Sequence, residues 1–268
     1  MRRRRQEWKT FAEAIMNHTD EFKNQTVLVT GASAGIGAAT ALAFGRLGAH
    51  VIVHYNSRKE AAGQVAAGIA EAGGTAAIVQ ADLATQEGVA SLTAWLKGKP
   101  VEVLVNNAGS LVKRTKTLEF TPELMDTVLT LNYTSAFFVS QAVLPGMVER
   151  GRGAIVNVSS VAARMGGGIG AGVYAASKAA MSAMTKNIAR EFGPVGIRVN
   201  TVSPGTIDTD FHRQFSTEQM LNNVKAATPL GRLGNSEETA DVIVYMCSHA
   251  SRYVQGQALE VNGGFLMV

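Results

Sequence analysis

Short apolar runs of four to six residues recur along the chain, and most are followed by a glycine-bearing or polar turn and then a helical pattern. Thr26–Thr30, Val51–Tyr55, Thr75–Gln80, Val101–Val105, Ala154–Val158, Arg198–Val202 and Ala258–Val261 read as strands. Between them lie helical stretches: an Ala-rich run ending at Leu47, then Lys59–Ala72, Gln86–Leu96, Pro122 to about Glu149, the segment through Tyr174, Thr217–Ala227 and Ser236–Ser248. Gly73-Gly74 suits a helix C-cap, and Pro122 suits a first helical turn. Pro145 predicts a kink or an early finish to its helix. Residues 210–233 are long and weakly patterned, which is the habit of lids and binding loops. The alternation predicts an α/β protein, and the absence of a repeat of 20–50 residues predicts one domain over residues 23–268.

With 46% hydrophobic residues, the 268-residue chain can bury a large core. Its formal charge is +4, yet five of the 25 basic residues fall within the first nine positions. Residues 23–268 carry 20 basic and 17 acidic side chains, which does not indicate a nucleic-acid-binding face but permits a phosphate-bearing cofactor. Residues 1–22 are expected to be a mobile or loosely docked extension. Arg2–Arg5 resemble the positive start of a signal peptide, but Glu7, Lys9, Glu13 and Asp20 occupy the place of its apolar region. Secretion and organelle import are therefore not expected, and Met16 is a second candidate start. The single Cys247 lies in an apolar helical stretch, reads as core, and suits a reducing, cytoplasmic setting. There is no run of 18 apolar residues, so no membrane span is expected, and no metal site is expected either.

Chemistry enters at the ends of the strands. Gly31-Ala-Ser-Ala-Gly35-Ile-Gly37 follows the first strand and opens a helix, as in a nucleotide-binding βαβ unit. Taken alone, the cluster is also compatible with an ordinary βα turn. The second strand ends His54-Tyr55-Asn56-Ser57-Arg58-Lys59, with no carboxylate before Glu60 to hold a ribose 2′-hydroxyl. That favours NADP(H) over NAD(H), with Ser57 and Arg58 as candidate phosphate partners, against a reading of Arg58 and Lys59 as the solvated start of a helix. Asp82 is placed either to meet an adenine edge or to cap a helix. Asn106-Asn107-Ala108-Gly109 combines small residues, which admit a ligand, with amides able to tie strands together. Asn132, amid apolar helical residues, is either a structural cross-link or part of a polar relay. Tyr174 and Lys178 stand four apart on a helix, with Ser160 upstream and Gly166, Gly167, Gly168, Gly170 and Gly172 between. A nearby ammonium favours the phenolate; bringing a Tyr from about 10 towards neutrality requires roughly 4 kcal/mol.

Thr30-Gly31-x-x-x-Gly35-x-Gly37, Asn106-Asn107-Ala108-Gly109, Asn132, Ser160, Tyr174-x-x-x-Lys178 and Pro204-Gly205 occur in the order of the short-chain dehydrogenase/reductase family, which residues 24–268 resemble. The resemblance implies a Rossmann-type, doubly wound, seven-stranded parallel sheet with helices on both faces, and a homotetramer. It implies Tyr174 as general acid/base, Ser160 holding the reacting oxygen, Lys178 binding the nicotinamide ribose and lowering the Tyr174 pKa, and Asn132 supporting a water relay. The cofactor residues it implies are Gly31, Ser33, Gly35, Ile36, Gly37, Tyr55, Asn56, Ser57, Arg58, Asp82, Leu83, Asn107, Ala108, Gly109, Pro204, Gly205, Ile207 and Thr209, together with Tyr174 and Lys178. Two departures stand out. Ser160 lies fourteen residues before Tyr174 where thirteen is common, with Ser159 one further, and Ala34 stands where many NADP-preferring relatives carry Arg or Lys. The likeness is strongest to 3-oxoacyl-thioester reductases and glucose dehydrogenases, which share Val261-Asn-Gly-Gly264. An acidic acyl carrier protein would need basic surface, for which Lys113, Arg114 and Lys116 are candidates, unless they form a solvated loop. A sugar or polyol would want a polar lid, for which Asp208, Asp210, His212, Arg213 and Gln214 are candidates. A non-catalytic NADP-binding regulator is the reading of another class.

Overall fold

The computed structural model describes residues 21–268. In chain order the elements are β1 (Thr26–Val29), α1 (Gly35–Arg46), β2 (His50–Tyr55), α2 (Lys59–Glu71), β3 (Thr75–Gln80), α3 (Gln86–Leu96), β4 (Val103–Asn106) and α4 (Pro122–Leu129). They continue with α5 (Ser135–Arg150), β5 (Gly153–Val158), α6 (Ala162–Met165), α7 (Gly172–Phe192), β6 (Ile197–Pro204), α8 (Asp210–Phe215), α9 (Glu218–Ala227), α10 (Ser236–Cys247) and β7 (Ala258–Val261). The seven strands form one sheet in the order β3-β2-β1-β4-β5-β6-β7, and every pairing is parallel. Strand order reverses between β1 and β4, which opens a crevice at the carboxyl ends of the strands. The expected Rossmann-type architecture is the one observed.

Alternate strand residues feed two cores because successive side chains point to opposite faces. On one face α1, α2 and α10 bring Phe44, Ile69 and Ile243 against Val29, Val53, Val105 and Val156. On the other, α3, α5 and α7 bring Leu92, Met147 and Met181 against Leu28, Ile52, Leu104 and Ile155. Phe22, inside the segment expected as an extension, is 2% exposed and packs edge-on to Phe44 at 4.9 Å, so the folded chain includes it. The remainder of that expectation, residues 1–20 and the alternative start at Met16, lies outside the described residues. Cys247 is buried, as expected, and burial pushes its thiol up to about 12.

A polar seam crosses the middle of the sheet. The Asn106 amide donates to Asn157 Oδ1 at 2.8 Å and to Ser140 Oγ at 3.0 Å. Asn157 in turn donates to Thr185 Oγ1 at 2.8 Å, which also accepts from Thr201 Oγ1 at 2.8 Å. Further along, Arg198 on β6 gives its guanidinium to the carbonyls of Met246, Cys247 and Ser248 at the end of α10. Those are the acceptors a helix C-terminus leaves unpaired, where a cation is also favoured by the helix dipole. Among the described residues, no helix is long and apolar enough to cross a membrane.

The stretch expected as one helix from Pro122 widens at Thr130–Thr134 into a π-helical turn before continuing as α5. Pro145 neither ends nor shortens it, since α5 runs through to Arg150.

Candidate active site

An elongated cleft runs along the carboxyl edge of the sheet in two parts. A cavity of 180 Å³ is lined by Ser33, Asn56, Ser57, Asp82, Leu83 and Ala108, and a cavity of 550 Å³ by Ile36, Gly109, Ser160, Tyr174, Lys178 and the lid helices α8 and α9. Gly31 and Arg58 line both. The N-terminus of α1 opens between them: Ala34 at its N-cap makes no side-chain bond to the first turn, and Gly35 and Ile36 face the larger cavity.

The glycine turn is held by its neighbours. Thr30 Oγ1 accepts from the amides of Asn107 and Ala108 at 3.0 Å each, and Asn107 Nδ2 donates to Thr30 O at 2.9 Å and Gly31 O at 3.2 Å. A Cβ on Gly37 would stand 2.5 Å from that amide nitrogen, so only glycine lets α1 lie this close. His54, which the sequence reading passed over, is 2% exposed and accepts the Gly31 N–H on Nδ1 at 3.0 Å. Its Nε2 therefore carries the proton and donates to Ala81 O at 3.1 Å, and burial holds the imidazole neutral with a pKa of about 4. A histidine in a strand carries no composition signal for this role; only the register of β1 beside β2 reveals it.

Tyr174 is half-buried at the start of α7, and its phenol lies close enough to the Ser160 hydroxyl to feel it electrostatically. Ser160 Oγ accepts from Ala162 N at 3.1 Å. Ser159 instead turns inward, 3% exposed, and donates to Lys178 O at 2.9 Å. Lys178 is 2% exposed, donates from Nζ to Val158 O at 2.8 Å, and stands 5.8 Å from the Tyr174 ring centre. Asn132, wholly buried, donates to Ser110 O and Val128 O at 2.8 Å each and accepts from Ser110 N at 3.1 Å. The π turn presents that amide, a frequent use of such bulges. Gly109 separates the two: a Cβ there would lie 2.6 Å from Asn132 Oδ1 and 2.8 Å from Lys178 Nζ.

The electrostatics differ in sign from the sequence argument. Burial pushes the Tyr174 phenol up to about 12, against the downward pull of the nearby Ser160 hydroxyl, and burial draws Lys178 down to about 7. An ammonium favours a neighbouring phenolate only while it is charged, and here desolvation weakens the charge that was to act.

Other expected residues divide. Pro204, Gly205, Ile207 and Thr209 line the larger cavity. Tyr55 does not reach the cleft: sharing the face of Val51 and Val53, it is 7% exposed in the core. Asp82 does not cap α3, because Thr85 does, accepting from Gly88 N; Asp82 Oδ1 accepts from Ala84 N at 3.0 Å beside the smaller cavity. Arg114 is no free docking cation, since it spends its guanidinium on Phe215 O and Ile169 O at 2.9 and 2.7 Å; Lys113 and Lys116 remain exposed. The apolar lid residues Phe211, Phe215, Met220, Leu221 and Val224 had no place among the expectations, although they line the cleft.

Two cavities joined past an uncapped helix N-terminus fit a dinucleotide: a nucleoside in each, with the pyrophosphate on the free amides. Comparison with known proteins agrees. Residues 31–266 match a family model described as enoyl-(acyl carrier protein) reductase. The 3-oxoacyl-[acyl-carrier-protein] reductase of Synechocystis is 39% identical over 91% of this chain and 97% of its own. L-rhamnose 1-dehydrogenase (NAD(P)(+)) of Azotobacter vinelandii is also 39% identical, over 91% and 97%. A crystal structure from Beutenbergia cavernae, described as a candidate NAD(P)-dependent gluconate 5-dehydrogenase with bound NADP, superposes with a TM-score of 0.85 at 35% identity, covering 92% of this chain and 98% of that one. The chain belongs to the short-chain dehydrogenase/reductase family, as an oxidoreductase that acts between CH–OH and C=O with a nicotinamide cofactor.

Proposed function

We propose that the protein is an NADP(H)-dependent reductase of carbonyl groups on apolar, acyl-type chains, with a 3-oxoacyl thioester as its substrate class. The apolar lid carries this reading. Phe211 sits 5.8 Å from the Tyr174 ring and 5.1 Å from Phe215, and Met220, Leu221 and Val224 extend that surface along the cleft. The polar lid residues are otherwise engaged. Asp208, Asp210 and Arg213 form exposed ion pairs, and His212 bonds Ser216 while burial and the charge of Arg114 hold it neutral at about 4. A sugar would meet Gln214 and His212 there, and the sugar-directed relatives keep that alternative worth testing.

A nicotinamide cofactor held at Gly109, Tyr174 and Lys178 would supply the hydride. Tyr174, protonated at neutral pH, gives its phenolic proton to the carbonyl oxygen as the carbon is reduced, and the Ser160 hydroxyl bonds the same oxygen while charge develops. The phenolate left behind is favoured by any proton that Lys178 holds 5.8 Å away. Asn132 keeps the turn at Ser110 in place, and Lys178, which lines the larger cavity, would hold the nicotinamide ribose. The absence of an acid after β2, with Ser57 and Arg58 lining the smaller cavity, supports NADP(H). An acyl carrier protein bearing the thioester would meet Lys113 and Lys116. A homotetramer follows from the family resemblance and is tested by mass in solution.

Loss of absorbance at 340 nm with NADPH and a short 3-oxoacyl thioester tests the proposal, with NADH and Tyr174→Phe in parallel. Rapid loss with NADPH that Tyr174→Phe abolishes is expected. NADP reduction on a sugar or polyol, with no turnover of the thioester, would overturn the substrate assignment.

A further inference from the structure

Arg58 lines both cavities and reaches from the end of β2 across the cleft mouth, where its Nη1 donates to Asp210 Oδ2 at 2.7 Å. Asp210 is the first residue of the lid helix α8, 152 positions away in sequence. Its second oxygen accepts from Arg213 Nη2 at 2.8 Å and Nε at 3.2 Å, and Arg213 also holds Asp208 at 3.0 Å. The lid thus offers a carboxylate to the cation that was expected to hold a ribose phosphate.

We infer that Asp210 is a cofactor-specificity residue, competing from the lid with a ribose 2′-phosphate for Arg58. The inference rests on the NADP(H) reading above. A ligand bearing the 2′-phosphate must take Arg58 from Asp210; one with a free 2′-hydroxyl leaves the pair intact. The pair therefore discriminates against the phosphate alone. The exchange is accessible because both side chains are about half exposed, at 54% and 52%, and Asp210 retains Arg213 when Arg58 leaves. Exposed pairs are weak, so the discrimination amounts to about two- to fivefold in affinity.

The test is equilibrium binding of NADPH and NADH at low ionic strength, without substrate, to the parent protein, Asp210→Asn, Arg58→Ala and the double variant. Asp210→Asn is expected to bind NADPH about two- to fivefold tighter and NADH unchanged. Arg58→Ala is expected to weaken NADPH selectively, and adding Asp210→Asn to it is expected to change nothing more. If Arg58→Ala lowers the NADPH preference while Asp210→Asn leaves it unmoved, the inference fails and the NADP(H) reading stands. If Arg58→Ala also leaves the preference unmoved, the phosphate role of Arg58 falls, and the inference falls with it. A gain from Asp210→Asn that persists in the double variant would also overturn it, because Arg58 would not be the prize.

Discussion

Gly109→Ala adds one methyl group at the point where the site has least room for it. The new carbon would stand 2.6 Å from Asn132 Oδ1 and 2.8 Å from Lys178 Nζ, which is 0.8 and 0.6 Å inside an ordinary contact of 3.4 Å. Neither neighbour yields freely. Asn132 is pinned by three hydrogen bonds to Ser110 and Val128, and the Lys178 ammonium is tied to Val158 O at 2.8 Å within a buried pocket. The strain is shared by moving both groups through most of an ångström, and a misplacement of about 1 Å typically costs on the order of 100-fold in rate. Overpacking of this kind costs about 1–3 kcal/mol of stability, or about 2–5 °C in thermal midpoint for a chain of this size. Turnover of NADPH with the preferred carbonyl substrate, followed at 340 nm, should therefore fall about 100-fold in a protein that still melts cooperatively. A folded Gly109→Ala protein with turnover within about twofold of the parent would refute the claim that the placement of Asn132 and Lys178 governs catalysis.

Lys178→Met should abolish turnover and yet raise stability in a pH-dependent way. The folded pKa of Lys178 is depressed from 10.5 to about 7, so between those values the unfolded chain binds the extra proton and stability rises with pH. The burden is complete below about 7 and gone above 10.5; the advantage of the variant in denaturant melts should be larger at pH 6 than at pH 10.5, and a flat difference would count against a buried lysine. Asn235→Ala removes one half of the capping box at α10, in which Asn235 Oδ1 accepts from Glu238 N at 2.8 Å and Glu238 Oε2 from Asn235 N at 2.9 Å. Chemical denaturation should show a loss of about 0.5–2 kcal/mol with turnover unchanged; no loss would mean the box contributes nothing.

The sheet was legible because its strands are short apolar runs bounded by turn residues, and a strand buried on both faces leaves that mark directly in the sequence. Ser160, Tyr174 and Lys178 were legible as a spacing. Their environment was not. Whether a lysine and a phenol are desolvated depends on which helices cover them, and the direction of both pKa shifts follows from that cover. The inward turn of the Tyr55 side chain is not legible, because the end of a strand does not disclose which face its last side chain takes. The π turn at Asn132 leaves no trace, since one wider helical turn changes the period too little to show among mixed residues. Arg58 and Arg114 read as free cations because their partners, Asp210 and the carbonyls of Ile169 and Phe215, lie 55–152 positions away.

The seam through Asn106, Asn157, Thr185 and Thr201 bears on a hazard peculiar to this kind of sheet. Strands such as Val103–Val105 and Ile155–Val156 are apolar on both sides, so sliding one past its neighbour by a residue or two would bury nearly as much hydrocarbon as the native pairing does. The amides break that degeneracy. Native pairing sets Asn106 beside Asn157 and Asn157 beside Thr201, and a displaced strand would leave those groups buried with no partner. The seam thus acts as a combination lock on alignment, selecting among nearly isoenergetic misregistered sheets, and replacing Asn106 and Asn157 together by leucine should yield a protein that is compact but heterogeneous.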